Sequence, residues 1–432
     1  MTIREGGAAP EVRWHPLTRI GFRFAVCYFG LFCAIFGQIL WVFAGYPIRW
    51  LPADAVVWQM TVASPGYEWV GRAVFGVDTT LHVDSGSGDQ AAIWLLVFCI
   101  AIVAAVATAL WSVLDRRRPA YPTLFAWFLT VMRLCLAGQM LFYGTAKLIP
   151  TQMPAPPLDA LLTPFGQFSP MSVLWLQVGS APAYEMLLGA AEVLAGLLLV
   201  LPRTATLGAL LSVVSMLQVF VLNMTYDVPV KILSFHLLLL SLVVLAPQLR
   251  RLADVIVLER HSEPARQPAL FATARRNRTA AAVQVALGVW VLVGCLAIGA
   301  QSWLDYGGGR ERSPLYGIWS VSAFSVDGVA LPPLTTDETR WQRLVFDEIG
   351  AMTLQRMDGT LTQLPAAVDA TSIRAEQPPI HLAYTRPAPD RLQLDGTVDG
   401  RAVRITLTQV DLNSFVLRSR GFNWVQEYPV TK

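Results

Sequence analysis

Between Trp127 and Leu249 the chain passes through four apolar stretches that carry Arg133, Lys147, Glu185, Glu192 and His236. A helix needs about 20 predominantly apolar residues to cross ~30 Å of hydrocarbon. A charge inside such a span is costly, so each of these ionisable residues must be held by a partner or serve a function. Three further apolar runs lie at about residues 20–45, 91–113 and 280–303. Only 15% of the 432 residues are charged, against the ~25% usual for soluble domains. The expected fold class is therefore an α-helical multi-pass membrane bundle of about seven spans.

The distribution of positive charge orients these spans. Arg116–Arg118, Arg203, the basic N-terminus with Arg4, and seven arginines between Arg250 and Arg278, Arg266 among them, fall on one side. The opposite segments hold Arg49 and Arg72 among excess acids, and Lys147 and Lys231 at helix ends. The positive-inside rule then places the N-terminus in the cytoplasm and the C-terminus outside. The first run is too long for a signal-peptide core and has no small-residue cleavage site, so it reads as an uncleaved helix. The localisation expected from this pattern is the bacterial inner membrane.

The domain divisions follow from changes in texture. Residues 1–124 form a two-helix membrane region with an outer loop at 46–90, whose tail Asp84-Ser-Gly-Ser-Gly-Asp89 reads as flexible. Residues 125–250 form a four-helix core, interrupted by a proline-rich stretch from Pro150 to Pro170 suited to the interface or to re-entry. Residues 251–279 are a basic cytoplasmic loop, and 280–304 the seventh helix. From Asp305 onward the pattern changes to period two. Asp-Gly pairs at 327–328, 358–359 and 399–400 punctuate it, the strongest short-range signal for hairpins. Strands are expected at 317–326, 340–346, 352–357, 381–385, 391–398, 401–407, 415–419 and 424–428. About eight short antiparallel strands predict a small all-β barrel or sandwich outside the membrane. Its opening Leu315-Tyr-Gly-Ile-Trp319 resembles the start of a lipocalin barrel.

The five cysteines all sit in apolar runs, without CxxC or zinc spacing, which disfavours dithiol redox chemistry and a metal site. No basic run interleaved with aromatics suggests nucleic acid. Counting from the helix ends puts Arg133 and Glu192 at one depth on antiparallel helices, and lets Lys147 and Glu185 lean toward each other nearer the outer face. Small residues Gly189, Ala191, Ala195 and Gly196 would permit close helix approach. Asn223, Tyr226, Asp227, Lys231 and His236 gather at the outer ends of the next two helices. Together these groups make the expected ligand-binding candidates, lining an outward-facing polar pocket. No residue is singled out as catalytic.

Arg133-Leu-Cys-Leu-Ala-Gly138, Tyr143-Gly-Thr-Ala-Lys-Leu148, and the stretch from Glu185-Met-Leu-Leu-Gly-Ala-Ala-Glu192 to Leu201-Pro-Arg203 resemble the DoxX-like membrane proteins. That resemblance, over roughly residues 125–250, implies a four-helix bundle whose relatives are linked to thiosulfate–quinone oxidoreduction and membrane redox complexes. The chain departs from it by three extra spans, the proline-rich loop and the β domain. The first expectation is a bundle that binds a quinone-like or other small lipophilic ligand within a redox system. No haem pair, flavin motif or iron–sulfur spacing is visible, so electrons would come from a partner. The alternatives are a membrane-anchored scaffold or ligand-binding protein acting through its outer β domain toward an envelope partner, with Trp319, Trp341, Phe346 and Arg420–Trp424 as its surface, or a small-solute transporter.

Overall fold

The computed structural model describes residues 13–262 and 268–431, so the expected basic residues Arg4 and Arg266 lie outside the described residues. The helices are α1 (Pro16–Ile35), α2 (Gln38–Trp41), α3 (Trp58–Val70), α4 (Ala91–Leu114), α5 (Pro122–Leu148) and α6 (Pro170–Gly179). They continue with α7 (Pro182–Val200), α8 (Ala205–Thr225), α9 (Lys231–Leu245), α10 (Leu249–Ile256), α11 (Ala274–Asp305) and α12 (Val416–Ser419). Seven of these segments are long and apolar enough to cross a membrane: α1, α4, α5, α7, α8, the α9–α10 segment Lys231–Ile256, and α11.

The chain divides into two compact units. One comprises the chain through Ile149 together with Ala183–Ala300, and the other Pro150–Pro182 together with the chain from Gln301. Within the first, α5 is the central helix, with 67% of its apolar window buried against 28% for α1, α4 and α11. A buried cluster joins Phe32, Leu136, Met140, Leu199 and Leu240 from four of the spans. α1, α4 and most of α11 belong to the same compact unit as α5. The first span also stops early, at Ile35. At Gly37 a Cβ would lie 2.4 Å from Gln59 Oε1 and 2.6 Å from the Val56 carbonyl, so the chain turns where only glycine allows that approach. The loop before α4 is likewise not slack. The Gln90 side chain binds the His82 backbone at both N–H and carbonyl (2.8 Å each), and the Gly88 N–H donates to the Pro229 carbonyl at 2.8 Å.

The second unit is built on ten strands: β1 (Arg312–Val326), β2 (Val329–Ala330), β3 (Trp341–Glu348), β4 (Ala351–Arg356), β5 (Leu361–Pro365), β6 (Ala367–Val368), β7 (Ser372–Ala375), β8 (Ile380–Ala388), β9 (Arg391–Val398) and β10 (Arg401–Gln409). They form one antiparallel sheet in the order β5-β4-β3-β1-β10-β9-β8-β7-β6, with β2 beside β1. Only Ala366 separates β5 from β6, so the two ends of that order meet in a single bent segment and the sheet is a nearly closed barrel. The Asp327-Gly328 and Asp399-Gly400 turns have positive φ at both residues (50° and 81°, 49° and 75°), the conformation tight hairpins require. Trp319 and Phe346 are fully buried and Trp341 nearly so, within a core that includes Leu344, Ile373, Leu392 and Ile405. These aromatics are core, not an exposed binding surface.

Two expectations fail here for identifiable reasons. The proline-rich stretch, expected at the interface or as a re-entrant element of the membrane core, belongs instead to the barrel's unit. Leu158 is buried with Ile318 and Val345, and its N–H donates to Asp347 Oδ2 at 2.8 Å, so this loop is the barrel's own cover. The strands expected at 415–419 and 424–428 do not form. Residues 416–419 are α12, and the tail beyond has no ladder partner because β1 and β9 already occupy both sides of β10.

The barrel carries an acid-sensitive turn. Asp369 accepts from the Thr371 and Ser372 N–H groups at 2.9 and 2.7 Å, and from Ser372 Oγ and Arg374. These donors, the Thr371 N–H first, hold its carboxyl well below the usual range. A depressed folded-state pKa adds stability above the unfolded value of about 3.9 and loses it as the pH falls through the folded value. The barrel's unfolding temperature should therefore drop on acidification below about pH 4, and Asp369→Asn should flatten that drop in a thermal melt series.

Candidate functional site

The contact of α5 with α7 is built on glycine. A Cβ at Gly189 would lie 2.3 Å from Leu148 N, one at Gly144 2.7 Å from Val193 N, and one at Gly196 2.8 Å from the Leu141 side chain. Backbones this close fix the register of the two helices, and with it the pairing of their charges. Lys147 Nζ donates to both Glu192 oxygens, at 2.9 and 2.7 Å, with the two side chains only 6% and 3% exposed. The Tyr143 ring lies beside the ammonium, 5.9 Å from centroid to Nζ. The expected rungs, Arg133 with Glu192 and Lys147 with Glu185, are thus replaced. Depth counted from helix ends ignored the slide imposed by Gly144 and Gly189, which moves the partner of Lys147 two turns, from 185 to 192. Glu185 is fully buried in the first turn of α7, where the helix dipole favours an anion.

Arg133 lies fourteen residues before Lys147 on α5, about 21 Å away at the helical rise. It is 5% exposed. Its Nη1 donates to the carbonyls of Leu199 and, at 3.1 Å, Val200, and its Nη2 donates to Gln284 Oε1 on α11. The last carbonyls of a helix have no partner within it, and their dipole end is negative. The guanidinium thus caps α7. Among the described residues no carboxylate pairs with Arg133, and three of its five N–H donors are engaged. Arg133 also lines a cavity of about 260 Å³ with Leu129, Thr130, Gln248, Asn277 and Gln284. Asn277 binds the Phe271 backbone through both its amide atoms (3.0 and 2.7 Å), fixing the segment that includes the cavity residues Ala269 and Leu270.

The other expected residues form separate local clusters. His236 is buried, with Nδ1 2.7 Å from the Ile232 carbonyl and Nε2 2.7 Å from the Tyr28 hydroxyl, and its ring stacks on Phe32 at 3.9 Å. A carbonyl only accepts, so Nδ1 carries a proton; with the ring neutral, Nε2 is then the acceptor for the Tyr28 hydroxyl. Both nitrogens are occupied, and the residue ties α1 to α9. Asn223 donates to Ser234 Oγ at 3.0 Å, joining α8 to α9. The Tyr226 N–H closes α8 on the Leu222 carbonyl. Lys231 bonds the exposed Asp227 at 2.9 Å.

Asp89, beyond the expected set, caps α9. Its carboxylate accepts from the Lys231 and Ile232 N–H groups at 2.7 and 2.9 Å. Asp89→Ala should cost about 0.5–2 kcal/mol in a detergent unfolding titration, and Asp89→Asn should cost less, since an amide oxygen still caps.

Sequence reasoning missed more. Arg23, inside the first apolar run, is buried and bonds the Tyr121 hydroxyl at 2.6 Å, Ser112 Oγ at 2.9 Å and the Asp115 carbonyl at 2.9 Å. Its place within a span was the available signal. Gln284 was visible only as a polar residue in the seventh run. Cys33 and Cys135, 102 positions apart, share one buried core cluster, a proximity that no local spacing announces.

No family model matches the chain, and no solved structure matches it. Among curated proteins the chain is similar to the uncharacterized protein YwoB of Bacillus subtilis (strain 168), with 30% identity over 122 residues that make up 26% of this chain and 71% of YwoB.

Proposed function

The chain belongs to the same family as YwoB; from the resemblance of its 133–148 and 185–203 stretches we propose that it is a DoxX-like protein of the bacterial inner membrane, and from the geometry around Arg133 that it binds a quinone-like lipophilic ligand there. One observation carries this reading. A buried guanidinium with no carboxylate partner and two unspent N–H donors, among the described residues, lines a cavity within a hydrophobic bundle. Such donors select an oxygen acceptor, and a quinone carbonyl offers one without a charge that would have to be stripped of water. The cavity, at about 260 Å³, falls just below the ~300 Å³ at which drug-sized sites begin. It suits a ring-sized head group, with the tail left among lipids.

The arginines at 116–118, 203, 250–251, 275–276 and 278 recur at one end of the alternating spans. They support a cytoplasmic position for that end and an extracytoplasmic barrel. Arg133 then lies in the cytoplasmic half of α5. Lys147–Glu192 is the structural lock that holds α5 against α7, and Arg133 with Gln284 forms the ligand-facing pair. Electrons would reach the bound head group from a partner in a membrane redox system.

A second reading, ligand binding by the barrel, is favoured by a cavity of about 270 Å³ lined by Phe324, Trp341, Leu354, Arg356 and Arg401. Lipid extracts of the purified protein separate the two. The bundle reading expects quinone to co-purify with wild-type protein and with Trp341→Ala, and to be lost from Arg133→Ala. Equal quinone in all three would remove it.

A further inference from the structure

After β10 the chain keeps one foot in the barrel and then leaves it. Leu412 and Phe415 pack against the buried cluster of Leu158, Ile318 and Val345. Beyond them the side chains are bare: Phe422 is 79% exposed, Trp424 90%, Val425 77% and Tyr428 83%. Phe422 and Trp424 meet edge to face at 4.9 Å, and Arg420 reaches the Gln426 side chain at 3.2 Å, so the tail contacts mainly itself. Single exposed apolar residues are ordinary, but a run of large ones marks an interaction surface.

We propose that residues 416–430 are an interfacial membrane anchor, placing Phe422, Trp424 and Tyr428 among lipid headgroups with Arg418 and Arg420 toward phosphate. Two observations choose lipid over protein. The first is connectivity. The barrel unit joins the spans three times, after α5, before α7 and after α11. Spans alternate in direction, so all three joins fall on one side of the bilayer, the side on which the chain continues into the tail. The nine residues from Phe415 to Trp424 reach up to about 30 Å when extended. The second is chemistry. Trp and Tyr concentrate at the headgroup level, where an apolar ring and a polar edge are both satisfied. Two arginines against the one acid, Glu427, suit an anionic lipid surface.

The test uses the full chain in vesicles of phosphatidylethanolamine and phosphatidylglycerol. An environment-sensitive fluorophore is attached at Val425→Cys, which keeps every aromatic, with Glu376→Cys on the barrel surface as the reference and protein lacking either added cysteine to correct for native thiols. Quenching by lipids spin-labelled near the headgroup should be several-fold stronger at 425 than at 376. It should fall on Phe422→Ser/Trp424→Ser, and also on Arg418→Glu/Arg420→Glu when the vesicles are anionic. Quenching at 425 no greater than at 376 would overturn the proposal, as would a signal that changes only with protein concentration or with an added envelope protein.

Discussion

Glu192→Leu, made with Lys147 left in place, is expected to destabilise the helix bundle by about 3–5 kcal/mol. The ammonium is 6% exposed and spends its hydrogen bonds on the two Glu192 oxygens. Removing the carboxylate leaves a buried charge facing Tyr143 and a helix backbone, with no water to replace it. Lys147→Met should cost a similar amount, by stranding the carboxylate instead. The double variant Lys147→Met/Glu192→Leu removes both desolvation penalties and should regain most of the loss, since apolar replacements for a buried pair are often neutral. Unfolding titrations in mixed micelles measure all three. Nearly silent single variants would mean that Lys147 reaches the interface on its own, and equal losses in single and double variants would mean that packing, not charge, is lost.

Gly189→Val should be the most disruptive of the glycine substitutions along the same seam. The added Cβ alone would sit 2.3 Å from Leu148 N and 2.6 Å from the Gly144 carbonyl. Both are backbone atoms of a helix, so neither can rotate aside. Relief requires α5 and α7 to part, and parting them also stretches the Lys147–Glu192 bonds. Overpacking in a well-filled core costs about 1–3 kcal/mol, occasionally more, and the coupled ion pair places this site at the upper end. Gly30→Ala on α1, where an added Cβ meets nothing within 4 Å, is the matched control and should be neutral. A Gly189→Val protein as stable as the control would show that the glycines do not set the register.

Features written in local pattern were legible in the sequence alone. Hydropathic length located the spans because a bilayer imposes one length on every crossing. Alternation flanking Asp399-Gly400 located β9 to its ends and β10 to within two residues, since a tight turn fixes the register of both its strands. Other features depend on encounters between distant segments. Which carboxylate meets Lys147 is decided by how far α5 slides along α7, and the glycines that decide it announce closeness, not register. The proline-rich loop could not be assigned to the barrel from its own residues, because its partners Ile318 and Val345 lie more than 150 positions away. The Phe422–Tyr428 tail imitates a strand in composition, yet both neighbours of β10 are already taken. Of the expected site, Arg133 and the Lys147–Glu192 chemistry were visible as misplaced charges. Gln284 and the cavity required the fold.

Equilibrium binding of a short-chain benzoquinone to the detergent-purified protein tests the central claim most directly, with Arg133→Gln and Gln284→Leu compared with wild type. The proposed site predicts saturable binding by wild type, competed by a quinol analogue, about 10-fold or more weaker in Arg133→Gln, the loss of ~1.4 kcal/mol expected when a charged donor is removed. Gln284→Leu should be weakened less, because it frees a donor of Arg133 while unsettling its position. Indistinguishable binding by all three proteins, or none by any, would contradict a ligand site at Arg133.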